Sequence, residues 1–134
     1  MSYLCTPYLY LSQMNRKDYE IMAPVGSYES LMAAINAGAD SIYFGIEGLN
    51  MRSKSANNFT TEDLYKIAAI CREHDVKSYL TVNTIIYDED LELMRKIIDS
   101  AKDADVSAII AADVAPMLYA RSIGVEVHLS TQLN

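Results

Sequence analysis

The sequence is poor in the residues that several classes of protein require. Cys5 and Cys71 are its only two cysteines, too few for a disulfide framework or a thiolate metal site. No apolar run approaches the roughly twenty residues needed to span a bilayer. The first residues lack the basic segment and the small-residue cleavage site of a secretory signal. We therefore expect a reduced, cytoplasmic protein that makes no membrane contact.

Basic side chains are scarce as well. The 134 residues include 11 lysines and arginines against 18 aspartates and glutamates, for a formal net charge of -7. Such a chain repels phosphate backbones, so by itself it is a poor binder of nucleic acid. The sequence also has no His-Glu-x-x-His, GxGxxG or P-loop motif. His74 lies at a predicted helix C-terminus, where a favourable dipole interaction explains it.

The chain does contain a regular alternation of strand and helix patterns. Strands are predicted at residues 19–23, 41–44, 77–82, 107–111 and 126–129. Four helices are predicted between them, the second capped by Thr60 or Thr61 and the last by Asp113. Strands joined by helical crossovers pair in parallel, with neighbours in chain order. An open doubly wound sheet and part of a (β/α)8 barrel both satisfy this rule.

The side-chain alternation along the strands chooses between these two folds. One predicted face is apolar, and we expect helices to pack on it: Ile21, Ala23, Ile42, Phe44, Leu80, Val82, Ala108, Ile110, Val127 and Leu129. The other is largely polar: Glu20, Met22, Ser41, Tyr43, Lys77, Tyr79, Thr81, Asn83, Ile109, Asp113, Glu126, His128 and Ser130. Covering the polar face with helices would cost ~1–3 kcal/mol for each unsatisfied group. The sequence therefore predicts an α/β fold, a partial TIM-type (β/α)8 barrel of about five parallel strands with helical crossovers.

Five stretches of the sequence together resemble the collagenase-like peptidase family, also called peptidase family thirty-two of unknown catalytic type. They are IMAPVGSYESLMAAINAGADSIYFG, GLNMRSKSANNFT, KSYLTVNTIIYDED, IIAADVA and HLSTQLN. The match runs from about Tyr19 to Asn134 and lies in the amino-terminal part of the family. It implies a (β/α)8-type catalytic domain. We expect residues 19–134 to be the amino-terminal part of that barrel and residues 1–18 an extension, whose start is non-native if translation begins at Met14.

The resemblance also implies components that this chain lacks. Family members continue well beyond this length, and many carry a four-cysteine iron–sulfur site in their later part. Cys5 and Cys71 do not match those positions, so we assign no cofactor to this chain and place any iron–sulfur cluster in a full-length protein. The expected partner is the missing carboxy-terminal half of the barrel or a second copy of the chain, because an unclosed sheet has bare edges.

Three functions are open at this point. The family name implies a peptidase, our first interpretation, with this chain a fragment that is inactive alone. Some members are instead associated with hydroxylating bases of transfer or ribosomal RNA, which requires the cluster-binding half. The third interpretation is a non-catalytic binding or assembly module. The expected substrate is accordingly a peptide or an RNA.

His128, Ser130 and Asp113 are the catalytic candidates. Acyl transfer needs a nucleophile beside an oriented base. Ser130 and His128 point to the same side of one strand, but their Cα atoms are about 6.5–7 Å apart, too far for a dependable hydrogen bond. Asp113, from the adjacent strand end, could orient His128. In the competing interpretation Ser130 bonds the backbone and His128 packs inside the barrel.

Residues near the carboxyl ends of the strands are candidates for substrate binding, because barrel ligands bind there. Arg52, in the long loop after the second strand, can hold a carboxylate or phosphate with two parallel hydrogen bonds. Amide side chains can form hydrogen bonds with uncharged groups of a substrate, and tyrosine rings can stack on a planar substrate. Thr84 and Asn134 are assigned to turn chemistry. The predicted binding residues are Tyr43, Asn50, Arg52, Tyr79, Thr81, Asn83 and Gln132.

Replacing Arg52 or Asn83 with alanine should lower the activity of the intact protein and spare its stability, because both side chains are predicted to contact substrate. Turnover and thermal unfolding of each variant are the measurements. Unchanged turnover in both variants would remove these two residues from the site.

Overall fold

The computed structural model describes residues 15–49 and 58–133. Its strands are β1 (Met22–Pro24), β2 (Ser41–Phe44), β3 (Lys77–Val82), β4 (Ala108–Ala111) and β5 (Val127–Leu129). Its helices are α1 (Tyr28–Asn36), α2 (Thr61–Glu73), α3 (Leu91–Asp103) and α4 (Val114–Ser122). Short 3-10 turns at Arg16–Asp18 and Asp88–Asp90 precede β1 and α3. None of the helices in these ranges has the length and apolar content needed to cross a bilayer.

The strands form one sheet in the order β1-β2-β3-β4-β5, and every neighbouring pair is parallel. Parallel neighbours joined by helical crossovers have right-handed connections, which place all the helices on the same face of the sheet. The predicted α/β architecture is therefore confirmed, and the arrangement is that of a partial barrel. Within the described ranges, β1 and β5 are the edges of the sheet.

The core lies between the helices and one face of the sheet. Strand residues of that face are at most 2% exposed: Ile42, Phe44, Leu80, Val82, Ile109 and Ala111. At ~25 cal/mol per Å² of apolar surface, complete burial of each large side chain among them contributes about 1.5–3 kcal/mol. Leu129 shares this face, since it pairs with Ala111, yet it is 65% exposed. The helical cover therefore ends before the outer edge of β5 in the part of the chain that the structure describes.

The faces predicted for β4 were wrong. Ile109 pairs with Leu80 and Val127 and is fully buried on the helix side, whereas Ile110 pairs with Thr81 and His128 on the polar side. The strand reads Ala-Ile-Ile-Ala, so no polar residue marks which alternate positions face inward. A shift of one position moves every side chain to the other face. Only the pairing of β4 with β3 and β5 determines which of its side chains face the helices.

The predicted first strand was also too early. β1 begins at Met22, and residues 19–21 belong neither to it nor to the 3-10 turn at Arg16–Asp18. In that turn the Asn15 side chain accepts a hydrogen bond from Lys17 N–H. Ile21 still contributes its carbonyl oxygen, which accepts hydrogen bonds from the N–H groups of Asp40 and Ser41. Its side chain, predicted to face the helices, is 50% exposed.

Neighbouring helices are linked by hydrogen bonds between tyrosine and aspartate. Each bond joins two helices that are consecutive in the chain. The pairs are Tyr28 with Asp63 (α1 to α2), Tyr65 with Asp103 (α2 to α3) and Tyr119 with Asp99 (α4 to α3). Each tyrosine hydroxyl donates to a carboxylate, which makes a stronger bond than one between neutral groups.

Replacing Tyr28 with phenylalanine should lower the free energy of unfolding by ~1 kcal/mol, because the hydrogen bond to Asp63 is lost. The ring remains, so its edge-to-face contact with Phe59 is preserved. Urea unfolding is the measurement. The matched control is Tyr87→Phe, since this exposed side chain makes no hydrogen bond to another described residue. Equal stability of the two variants would contradict the assignment.

Candidate functional site

Four of the predicted site residues share the face of the sheet that the helices leave open. Tyr43 pairs with Tyr79, and Thr81 lies in one row with Ile110 and His128. Parallel partners point to the same side of a sheet, so the four side chains share one surface. We call it the lumen face; Lys77 and Glu126 flank it where the strands begin. The predicted grouping of Tyr43, Tyr79, Thr81 and His128 is thus present in the fold.

Tyr79 lies at the centre of the lumen face and is 3% exposed. Its hydroxyl donates a hydrogen bond of 2.6 Å to Glu20 Oε1, and Lys77 Nζ lies 3.5 Å from Glu20 Oε2. Burial, followed by the bond to Glu20, raises the pKa of Tyr79 above its usual value. The Tyr79 hydroxyl in turn is the main cause that lowers the pKa of Glu20 below 4.5. At neutral pH the pair is therefore a protonated tyrosine and an ionised glutamate.

His128 is held by two neighbours. Its Nε2 lies 2.8 Å from Glu126 Oε1, and its ring centroid lies 4.9 Å from that of Tyr79 with the planes tilted by 53°. An ionised carboxylate only accepts hydrogen bonds. Nε2 therefore carries the hydrogen, and the Nε2–H group donates a hydrogen bond to Glu126. In the neutral imidazole the Nδ1 lone pair is then the basic position. The arrangement is a carboxylate-oriented histidine beside a buried aromatic ring.

His128, Ser130 and Asp113 each form hydrogen bonds with other groups among the described residues, and none of these bonds joins one of the three to another. Ser130 Oγ accepts a hydrogen bond from Gln132 N–H at 3.2 Å. The Asp113 carboxylate accepts from Ile86 N–H at 3.0 Å and from Ala115 N–H at 3.4 Å. Asp113 caps α4 as predicted, but the carboxylate that orients His128 is Glu126. Within the described ranges there is no serine–histidine–aspartate triad.

The remaining predicted binding residues lie towards the carboxyl ends of the strands. Thr81 Oγ1 donates to the Phe44 carbonyl oxygen at 3.1 Å. Asn83 is half-buried just after β3, and Gln132 is exposed. Asn50 and Arg52 lie outside the described residues, so their binding roles stay predictions. Tyr43, Tyr79, Thr81, Asn83 and Gln132 likewise stay predictions as substrate contacts.

Thr84 differs from expectation. Its hydroxyl is buried and has no hydrogen-bond partner among the described residues, so it does not perform the turn chemistry assigned to it.

A broad groove lies at the amino-terminal ends of the strands, opposite the end where the predicted binding residues lie. Its lining includes Glu20, Lys77 and Glu126. The acidic groups that hold Tyr79 and His128 are therefore reached from that end.

Sequence reasoning placed Glu20 and Glu126 on the polar face but did not select them as site residues. The alternation of apolar and polar residues along the strands predicted the face of the sheet on which these two glutamates lie. Their partners could not be found in this way, because Glu20 and Tyr79 are 59 positions apart in the chain. Glu126 and His128, two positions apart on one side of a strand, were within reach of the pattern.

The described residues contain no group of three or more histidine, cysteine, aspartate or glutamate side chains that could hold a metal ion. Cys71 is a buried free thiol, and burial raises its pKa to about 11. It therefore remains protonated, whereas a metal-bound sulfur is a thiolate. With two cysteines in the sequence, the chain cannot supply the four thiolates of a typical iron–sulfur cluster.

A parallel sheet in chain order, with helices on one face and polar side chains on the other, defines a segment of a (β/α) barrel protein. Peptidase family U32 matches residues 26–134. The chain belongs to this family, which confirms the resemblance inferred from the five sequence stretches.

Three comparisons describe this relationship. A collagenase of Porphyromonas gingivalis is 78% identical over 121 residues, covering 90% of this chain and 29% of the relative. A tRNA hydroxylation protein of Bacillus subtilis is 34% identical over 118 residues, covering 87% of this chain and 28% of the relative. The solved structure of a U32 peptidase superposes with a TM-score of 0.60 at 12% identity, over 82% of this chain and 47% of that one. At this identity the structural likeness shows the fold alone.

The chain thus spans less than a third of the length of these curated relatives. The same stretch of sequence is shared by relatives named for two different reactions. Family membership therefore establishes the scaffold and leaves the reaction to be inferred from the site.

Replacing Asp113 with asparagine should destabilise the protein in a pH-dependent way. The N–H groups of Ile86, then Ala115 and Val114, lower the pKa of Asp113 below 3.8. A lowered folded-state pKa contributes stability that is complete above 3.8 and is lost as the pH falls through the folded value. Urea unfolding of both proteins between pH 7 and pH 2 should show a difference that shrinks at the acidic end. A difference independent of pH would contradict an ionised cap.

Proposed function

We propose that this chain supplies the first five strands of the catalytic barrel of a peptidase, with His128 as the general base. The observation that carries the proposal is the contact between His128 Nε2 and Glu126 Oε1, at 2.8 Å. It leaves Nδ1 as the basic nitrogen, and an oriented histidine base contributes typically 10²–10⁴-fold to a rate. The 78% identity to a protein named collagenase supports peptide as the substrate.

In this proposal His128 removes a proton from water as the water oxygen attacks the peptide carbonyl carbon. The C–N bond then breaks as the protonated His128 returns that proton from Nδ1 to the leaving amine, which restores the basic imidazole. His128 is 36% exposed at its side chain, so it is open to water from one side. Tyr43, Thr81 and Asn83 are proposed to contact the substrate on the same surface, together with Asn50, Arg52 and Gln132 from the neighbouring loops.

Replacing His128 with alanine, in the protein expressed from its complete reading frame, should reduce cleavage of a gelatin-derived peptide by about 10²–10⁴-fold. Glu126→Gln should reduce it less, because the amide oxygen can still accept the Nε2 proton. The matched control is His74→Ala, since the ring of His74 contacts the Ile70 carbonyl at the end of α2, far along the chain from β5. Cleavage by His128→Ala at the wild-type rate would contradict the proposal.

The second candidate is hydroxylation of an RNA base. The rings of Tyr43 and His128 share the lumen face on either side of the buried Tyr79, and aromatic rings can stack on a base removed from its helix. The 34% identity to a tRNA hydroxylation protein supports this candidate. Because this chain has a net charge of -7, phosphate contacts would come from basic residues in another part of the protein, as would any iron–sulfur cluster.

Deletion of the gene separates the two candidates. Mass spectrometry of nucleosides from bulk transfer and ribosomal RNA should show no loss of a hydroxylated base if the protein is a peptidase. Loss of one such base, restored by the wild-type gene, would replace the peptidase proposal with the RNA one. A folded protein that passes neither test would act as a binding or assembly module.

The proposal also concerns where the protein works and what completes it. We propose a cytoplasmic enzyme, which agrees with the unpaired, buried Cys71 thiol. We further propose that more strands close the barrel, either from the same polypeptide or from a second copy. The exposed Leu129 on the helix side of β5 supports such a contact.

A further inference from the structure

Glu20 precedes β1 in a segment whose backbone is firmly held. Ile21 N–H donates to Asp40 Oδ2 at 2.7 Å, and Arg16 Nη2 donates to the same oxygen at 2.9 Å. Arg16 also donates through Nη1 to the Tyr19 carbonyl oxygen at 3.1 Å. The hydrogen bonds on both sides of Glu20 therefore restrict where its side chain can reach.

The Glu20 carboxylate in turn fixes Tyr79. Its Oε1 accepts from the Tyr79 hydroxyl at 2.6 Å, and Lys77 approaches its Oε2. A short bond between a hydroxyl and an ionised carboxylate is among the stronger hydrogen bonds in proteins. Tyr79 is 3% exposed, and Glu20 is the acceptor that its hydroxyl meets at the edge of the groove. Glu20 is therefore the hydrogen-bond partner that holds the hydroxyl end of the Tyr79 side chain.

Tyr79 is the aromatic neighbour of His128. Their ring centroids are 4.9 Å apart, within the range in which rings attract one another. Glu126 holds one nitrogen of the His128 ring, and Tyr79 limits how the ring can turn about that bond. Glu126 thus contacts His128 directly, whereas Glu20 is linked to it through Tyr79.

We propose that Glu20 is a positioning residue for His128, acting through the ring of Tyr79. The inference rests on the proposed role of His128 as the base. Glu20 touches neither substrate nor the reacting atoms, and its effect is to keep the imidazole at one orientation. A site oriented through supporting contacts keeps its productive geometry better than one whose side chains rotate freely.

NMR of the histidine ring protons tests this proposal, because an adjacent tyrosine ring shifts their resonances. In the 134-residue chain His74 and His128 are the only histidines, so each resonance is assigned by a single substitution. Tyr79→Leu defines the His128 resonances without the ring. Glu20→Ala should move the His128 resonances most of the way to that reference and leave those of His74 unchanged.

Two further variants make the test specific. Tyr79→Phe removes the hydroxyl and keeps the ring, so it should shift His128 in the same direction as Glu20→Ala. Glu20→Gln should keep His128 near its wild-type resonances, since the amide oxygen still accepts from Tyr79. Unchanged His128 resonances in Glu20→Ala would overturn the proposal. So would equal shifts in the Gln and Ala variants, because loss of charge would then be the cause.

These outcomes are independent of the reaction. If His128→Ala retains full peptidase activity, the proposed function fails, while the resonance shifts still decide whether Glu20 orients the ring. Unchanged His74 resonances in every variant report that the fold is retained.

Discussion

Helical cover on one side of the parallel sheet is the constraint on which the rest of this structure depends. Right-handed crossovers place α1 to α4 on the same face, where Ile42, Leu80 and Ile109 are fully buried. Alternate residues of the same strands point the other way, where none of the helices in the described ranges packs. Polar and aromatic side chains can therefore occupy the lumen face without packing against an apolar helical layer.

Charge on the lumen face is organised by pairing each carboxylate with a donor. The Glu20 carboxylate accepts a hydrogen bond from the Tyr79 hydroxyl and lies near Lys77. The Glu126 carboxylate accepts a hydrogen bond from His128 Nε2–H. The carboxylates thus bond to neutral or cationic groups rather than repelling each other across the sheet. The consequence is a tyrosine that stays protonated and a histidine whose Nδ1 is the basic atom.

The family relationship shows how one scaffold can carry different chemistries. Relatives named collagenase and tRNA hydroxylation protein align with nearly the same stretch of this chain. A barrel segment supplies strand ends and a polar interior, and loops and further strands determine what is bound there. The four thiolate ligands of a typical iron–sulfur cluster would require cysteines beyond the two present here.

The sequence by itself determined the succession of strands and helices, the bounds of β2 and β3, and the cap at Asp113, because these depend on local periodicity and on side chains within a few residues. It also indicated that polar residues of four strands would share one face. The tertiary structure alone decided that Ile109, not Ile110, faces the helices, and that Glu20 bonds Tyr79. Register between strands sets both, and a uniformly apolar strand or a pair 59 positions apart leaves no local trace of it.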